Sequence, residues 1–423
     1  MTEKTRAIEK LLQLNQHKIK LGLGRVNQAI KKLNLNTNFP TSNICTVNGT
    51  SAKNSIIQIF KNILIKHKKR YAATYSPHLI SVTERFEHNK KFININLLKK
   101  ILIKTSKQKN LTQFEKLTIA FGLFIKDLKL DWIIGEFGLF GRLDAIRALF
   151  PKPNIHIITP ISWDHLNWTK TKKMNLKTLK EIVYEKTSFL KCKVYISKQT
   201  PTVLKIIKSN LKNNKNKKII YGKDFNLIKK NRRYFYKDNK NFFEIKSNLI
   251  GDHMYENITV AIKVALDQKI PTRIIKSGIR NINIPGRMQV IKKGMLRKGL
   301  KKNDILILDG AHNNQQSTQV SKVVSKIKSK NKFCVISMIN TKDPSSFLMP
   351  FRNKFKKIYF INMERQKNVF PKEKLKEIAD KLRINSSIAD SFNQVKTELS
   401  DTKSRCFVVT GSLYFVGNLL SKN

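Results

Sequence analysis

Short runs of β-branched and aromatic residues recur along this chain, separated by stretches whose apolar residues fall at helical spacing. The runs are Ile44–Val47, Tyr71–Tyr75, Trp132–Gly135, Ile155–Thr159 and Val194–Ile196, then Ile305–Leu308, Phe333–Met338, Lys357–Ile361 and Phe407–Thr410. Between the first two, Ile56, Ile57, Ile59, Phe60, Ile63 and Leu64 repeat with a helical period; Phe114–Phe124 and Thr5–Leu33 also read as helix, the latter broken at Leu21–Arg25. Strands that alternate with helices predict an α/β protein with a doubly wound, mostly parallel sheet. A chain of 423 residues exceeds what one core fills. Two domains are expected, 1–284 with the larger sheet and 285–423 as a smaller α/β domain, with Ile284-Pro285-Gly286-Arg287 as the linker. Lys208–Asn241, charged and Asn-rich, is expected to form a hairpin-like insertion or extended loops.

Lys and Arg number 84 against 28 Asp and Glu, a formal net charge of +56. Such a field attracts phosphate backbones without regard to sequence. Yet the lysines and asparagines are scattered, as in Lys212–Lys218, whereas a recognition footprint is clustered and mixed with stacking aromatics. Loose polyanion binding is expected and a specific nucleic-acid partner is not. The 4 cysteines, Cys45, Cys192, Cys334 and Cys406, form no close pair, so reduced thiols in a cytoplasmic protein are expected rather than disulfides or structural zinc. Met1–Lys10 contains Glu3 and Glu9 and no apolar core of a signal peptide. No apolar run is long enough to span a bilayer. A monomer is expected.

Asn48-Gly49-Thr50-Ser51-Ala52-Lys53-Asn54-Ser55 lies between a strand and a helix. A phosphate loop needs inward N–H groups, a lysine for the terminal phosphates and a helix N-terminus behind them. Lys53 and Ser55 are suitably placed, although Ala52 and Asn54 stand where glycine would ease the backbone. By itself this segment reads rather as an ordinary strand-to-helix turn with an exposed lysine. Ser76-Pro77-His78, Glu136-Phe137-Gly138 and Trp163-Asp164-His165 each follow a strand. In a doubly wound sheet the carboxyl ends of strands face the ligand crevice. A hydroxyl, a carboxylate and an imidazole delivered there could hold Mg²⁺ with phosphate oxygens.

In order, these segments resemble the folylpolyglutamate synthase/dihydrofolate synthase family of the Mur-ligase superfamily. The resemblance runs through Leu21–Val26, Gly49–Ser55, Ser76–Leu79 with Glu84-Arg85, Phe114-Glu115, Glu136–Ala145, Ile158–His165, Glu185-Lys186, Pro285–Arg287, Asp309–Asn313, Lys342–Pro344 and Thr410–Tyr414. It implies a Rossmann-like C-terminal domain and an ATP-dependent ligase. Such an enzyme phosphorylates a carboxylate of dihydropteroate or a reduced folate, and L-glutamate then attacks the acyl phosphate. It further implies that Gly49, Thr50, Ser51, Ala52, Lys53, Asn54 and Ser55, with Asn257, Arg287, Asp309 and His312, bind ATP. Ser76, Glu136 and His165 would hold Mg²⁺, with Lys53, Lys186 and His165 catalytic and Lys186 carbamylated. The pterin would touch Leu21, Gly22, Leu23, Arg25, Thr112, Phe114, Glu115, Leu143, Asp144 and Ala145.

The departures cluster at the implied site. The family's Gly-Thr-Asn-Gly-Lys-Gly-Ser loop has Ser51, Ala52 and Asn54 at its third, fourth and sixth positions. Its Gly-Leu-Gly-Gly-Arg segment carries Phe140, and Ile146 and Arg147 replace a polar pair. Alternatives are therefore a weakly active or inactive relative, or a basic nucleic-acid-binding protein on the same fold.

Overall fold

The computed structural model describes residues 8, 11, 21–39, 42–108, 110–163, 178–213, 215, 217–364, 366 and 368–423. His165, an expected metal ligand, lies outside the described residues. The chain divides into two compact units, one of Met1–Asn248 with Tyr255–Ile282, the other of Leu249–Met254 with Asn283–Asn423.

The first unit is built on eight strands: β1 (Asn43–Asn48), β2 (Tyr71–Thr74), β3 (Glu87–His88), β4 (Lys91–Phe92), β5 (Trp132–Glu136), β6 (Ile155–Ile158), β7 (Lys193–Ile196) and β8 (Lys218–Ile220). Their spatial order is β4-β3-β2-β5-β1-β6-β7-β8. All neighbours are parallel except the short β3 and β4, which pair antiparallel at one edge. Central β1, β5 and β6 are buried almost throughout, as a parallel sheet covered on both faces requires. The chain leaves β1 toward β2, returns through β5, and crosses to β6 on the other side. The carboxyl end of β1 is thus the switch point, where such sheets open a crevice.

Helices Ile95–Ser106 and Gln113–Ile125 bury Leu98, Leu102, Phe121 and Ile125 against Ile133 of β5 in one core cluster. On the β6–β7 side, Ile182, Val183, Val203 and Ile207 join Ile158, Val194 and Ile196. The expected insertion is more ordered than its composition suggests. Its start lies in the helix Pro201–Asn210, Lys218–Ile220 adds the edge strand β8, and β9 (Phe225–Lys230), β10 (Arg233–Asp238) and β11 (Phe242–Glu244) form an antiparallel three-stranded sheet. Consecutive aromatics in β10 and β11 serve both faces: Tyr236 is buried and stacks on Phe243, whereas Phe242 is exposed.

The second unit holds β12 (Gln289–Val290), β13 (Ile305–Leu308), β14 (Asn331–Ile336), β15 (Lys357–Phe360), β16 (Ser386–Ile388) and β17 (Arg405–Thr410), in the order β12-β13-β17-β14-β15-β16. All pairs are parallel except β12 with β13. Among the described residues no helix is long and apolar enough to cross a membrane. Cys45, Cys192, Cys334 and Cys406 are free and buried.

A buried ion pair ties the starts of β13 and β17. The Arg405 guanidinium donates to Asp304 at 3.0 Å through Nε and 2.5 Å through Nη2, and the two side chains are 1% and 0% exposed. Burial alone would raise the Asp304 pKa, but hydrogen bonds from Arg405 and the Lys301 N–H outweigh it and hold the carboxyl below its ordinary 3.8. Asp304→Ala strands a buried cation and is expected to destabilise this unit by about 3–5 kcal/mol in urea unfolding. Because the folded pKa is depressed, the pair's contribution is present at neutral pH. It is lost as the pH falls through and below 3.8, so the variant's acid unfolding curve should lack that component.

Candidate active site at the strand ends

The loop after β1 is clamped from both sides. Gly49 N–H donates to its neighbour Asn48 Oδ1 at 2.7 Å, and Asn48 Nδ2 donates to the Lys186 carbonyl at 3.1 Å. The Thr50 and Ser51 N–H groups both donate to the Pro160 carbonyl, and the Thr159 hydroxyl donates to the Ser51 carbonyl at 2.6 Å. Gly49 has φ +148°, and a Cβ there would lie 2.0 Å from Thr159 Oγ1, so no other residue fits. Behind the loop, the helix Lys53–Lys66 presents its N-terminus, the positive end of its dipole.

Two lysines converge on this loop. Lys53 Nζ donates to the Gly49 carbonyl at 3.3 Å and lies 3.8 Å from Glu136 Oε1. Lys186, buried at 3% exposure on the helix Leu179–Thr187, donates to the same carbonyl at 3.1 Å. Its ammonium also sits 5.6 Å from the Phe140 ring centroid. Glu136, at the end of β5, accepts from the Ser76 N–H at 3.3 Å. The structure therefore gathers Lys53, Ser76, Glu136 and Lys186 at the switch point, drawn from four separate stretches of chain. Ser55 is buried in the first turn of the same helix.

The backbone separates harmless departures from costly ones. Asn54 is helical and asks for nothing that glycine alone supplies. Ala52 has φ +68° and caps the helix without a side-chain hydrogen bond, and Phe140 has φ +57°. Left-handed backbone costs an L-residue about 1–2 kcal/mol. For Ala52 nothing in its small side chain offsets that. Phe140 is 1% exposed within the core of Ile158, Val183 and Val194, and burial of a phenylalanine outweighs the strain by about 2 kcal/mol.

The segments expected to meet a pterin are also brought together, mostly through contacts with one another. Thr112 and Glu115 form a capping box on the helix Gln113–Ile125, and Arg25 Nη2 donates to Glu115 Oε1 at 2.7 Å. The Phe114 ring lies against Gly138, where a Cβ would come within 2.6 Å of it. Leu21 and Leu23 pack beside the cores that hold Phe140 and Ala145 respectively. Gly22 has φ +145°, and Leu143 is half-buried. Asp144 organises its own loop: its carboxylate accepts from the Gly138, Leu139 and Ile146 N–H groups at 3.0, 2.9 and 2.9 Å. Burial pushes its pKa up to about 6, against the pull of those N–H groups and of Lys186. His78 is also internal. It accepts from Arg85 Nε at 3.0 Å, and burial, then the Arg85 charge, drive its pKa down to about 3.

In the second unit Asp309 accepts from the Met288 and Ala311 N–H groups at 2.7 and 2.8 Å. Burial raises its pKa, opposed by neighbouring Arg287 and those N–H groups. His312 Nδ1 pairs with the Gly310 carbonyl at 2.9 Å. Asn257 is buried in the first unit, on the helix Asp252–Asp267. Three residues that hold the site were given no role in the sequence reading, although they lie in segments it named: Asn48, Thr159 and Pro160. Asn48 opens the expected loop. The other two act on it from 108 residues away or more, and nothing local signals that.

Among the described residues no group of three or more His, Cys, Asp or Glu could hold a metal unaided. Ser76 and Glu136 still fit Mg²⁺, which binds through few carboxylates and completes its shell with phosphate oxygens and water.

A family model described as the Mur ligase middle domain matches residues 47–265, more than half of the chain, and one described as the C-terminal domain of dihydrofolate synthetase matches 295–422. The chain belongs to the folylpolyglutamate synthase/dihydrofolate synthase family of Mur ligases. The dihydrofolate synthase/folylpolyglutamate synthase of Buchnera aphidicola subsp. Acyrthosiphon pisum is 27% identical over 336 residues, covering 74% of this chain and 72% of that one. The protein of that name from Bacillus subtilis is 23% identical over 434 residues, covering 95% and 94%. A Mycobacterium tuberculosis folylpolyglutamate synthase structure, complexed with ADP, superposes with a TM-score of 0.86 at 19% identity over 99% of this chain and 98% of that one. Family membership accounts for the ordered motifs.

Ala52→Gly should raise stability by about 0.5 kcal/mol in thermal melts, since released strain slightly exceeds the flexibility that glycine adds. Phe140→Gly should lower it by about 3 kcal/mol, because lost burial dominates.

Proposed function

We propose that the protein is an ATP-dependent ligase that adds L-glutamate to dihydropteroate and/or a reduced folate through an acyl phosphate. The observation that carries this reading is Lys53, poised between the Gly49 carbonyl and the Glu136 carboxylate at the switch point. A phosphate-binding ammonium beside a metal-binding carboxylate is what phosphoryl transfer asks of a protein, since positioning and charge neutralisation dominate that chemistry.

In this reading Gly49–Ser55 cradle the triphosphate, and Lys53 neutralises charge as the terminal phosphoryl group passes to the substrate carboxylate and ADP leaves. Ser76 and Glu136, with His165, would hold Mg²⁺, which when bound supplies charge stabilisation at the phosphates. The glutamate nitrogen then attacks the acyl carbon, phosphate departs, and the amine proton is released. Residues 1–284 serve ATP and pterin, through Asn257 and the segments Leu21–Arg25, Thr112–Glu115 and Leu143–Ala145. Residues 285–423 serve glutamate ligation, with Arg287, Asp309 and His312 toward the nucleotide. Lys186 contacts a carbonyl oxygen and an aromatic face, both of which favour the ammonium form. A carbamate on this nitrogen reverses its charge and ends the cation–π contact, while the remaining N–H can still donate to the carbonyl. Free, buried thiols suit a reducing, cytoplasmic compartment, and we expect a monomer.

Purified protein given ATP, Mg²⁺, dihydropteroate and L-glutamate should release ADP, and Lys53→Ala should lower kcat/KM by ~100-fold or more. Bicarbonate should stimulate the wild type but not Lys186→Ala if carbamylation operates. ADP release by the Ala52→Gly, Asn54→Gly double variant but not by the wild type would identify an inactivated relative. Silence from both would overturn the substrate assignment.

A further inference from the structure

The ligase reading leaves the outer face of the β9–β10–β11 sheet without a role. Register sorts its residues. Phe235 pairs with Glu244 and Lys237 with Phe242, while Arg233 pairs with Lys230, so these six share one face. The opposite face is filled. Tyr236 is fully buried and stacks on Phe243, and Tyr234 stacks on Tyr255 of the helix Asp252–Asp267 at 3.8 Å.

The outer face is open and ordered. Phe242 is 65% exposed, the largest value among the exposed large hydrophobic residues described. Its ring lies parallel to that of Phe235, 5.4 Å between centroids and 5° between planes. Lys230, Arg233 and Lys237 are exposed around the pair. The turn residue Arg232 adds another exposed cation. The carboxylate on this face, Glu244, is already approached by Arg233 at 3.9 Å and by Lys246 at 3.7 Å.

Clustered cations mixed with stacking aromatics distinguish a nucleic-acid footprint from a solvated charge run. Each unpaired base offers a π face to a ring, and each linkage offers a phosphate to a cation. A duplex hides its base faces and gains only the charge. We propose that this face binds single-stranded polynucleotide without regard to sequence, bases stacking on Phe242 and Phe235 and phosphates resting on Lys230, Arg233 and Lys237. This is separate from the ligase reading and does not depend on it.

The test is fluorescence anisotropy with the full chain and labelled oligo-dT and oligo-rU of about ten nucleotides, a length one such face can engage, beside a duplex of equal length, over a range of salt. Single strands should bind more tightly than duplex at every salt concentration. Phe242→Ala should weaken single-strand binding by about tenfold, as loss of one stacking platform predicts, and leave the salt slope unchanged. Lys230→Ala with Lys237→Ala should reduce the slope of log K against log salt by about 1.4. All substituted side chains are exposed, so thermal melting should be unchanged. A preference for the ribo- or the deoxyribo-strand would name the source and support the proposal. Equal binding of single strand and duplex, or an unaltered affinity in Phe242→Ala, would overturn it and reduce the interaction to adhesion by net charge.

Discussion

The candidate site hangs on the carbonyl oxygen of Gly49. Two lysines donate to it, one from the helix that begins beside it and one from the helix Leu179–Thr187. That oxygen can be reached only because Gly49 has no side chain and takes φ +148° against Thr159. Like charges so close need anionic or dipolar company, which Glu136, the carbonyl itself and the Phe140 ring provide. A bound polyphosphate is a stronger partner than any of these. The two cations are thus held through weak contacts that phosphate oxygens can replace.

Ala52 and Phe140 show how a family pattern can change without loss of fold. Both occupy left-handed backbone, which glycine adopts without strain. The costs are similar, and the compensation is not: Phe140 buries a whole ring, whereas Ala52 has only a partly exposed methyl group. Packing offsets the strain at the first. Nothing in the structure explains the second. The strained residue is also the one that sets the direction of the N–H groups opening the helix Lys53–Lys66, so any functional penalty falls at the nucleotide.

Surplus charge is handled in two ways. Some buried charges are paired with an acid, as in Arg405–Asp304 and in Lys61–Glu87, where Tyr71 and Tyr75 also donate to the carboxylate, and others, such as Lys186 and Lys396, donate to backbone carbonyls. Among the described residues many other lysines are exposed, as 84 basic residues against 28 acids require. On the outer β9–β10–β11 face that ordinary excess coincides with exposed parallel rings. Linear sequence disguised the coincidence, because residues two apart share a face while the intervening ones are buried.

The sequence alone determined the α/β class, the alternation of elements and the places where chemistry could sit, because strand and helix periods and turn residues are local properties. It also carried the family, through motifs too numerous and too ordered to be accidental. It gave the segment after Lys208 as a hairpin-like insertion or extended loops, and the third strand, β11, was hidden because it follows in a polar stretch. It named Ala52 and Asn54 together as departures, Ala the less tolerant of left-handed backbone, but side-chain identity does not reveal that only Ala52 of the two has positive φ. Thr112, Glu115 and Asp144 were legible as important but not as caps, since a residue's partner is fixed by where the chain turns. Tertiary structure alone decided that Lys53 and Lys186, 133 positions apart in the sequence, share one oxygen. It also decided that Thr159 and Pro160 hold the loop between them, because only the crossing from β1 to β6 through the rest of the sheet places those strand ends side by side.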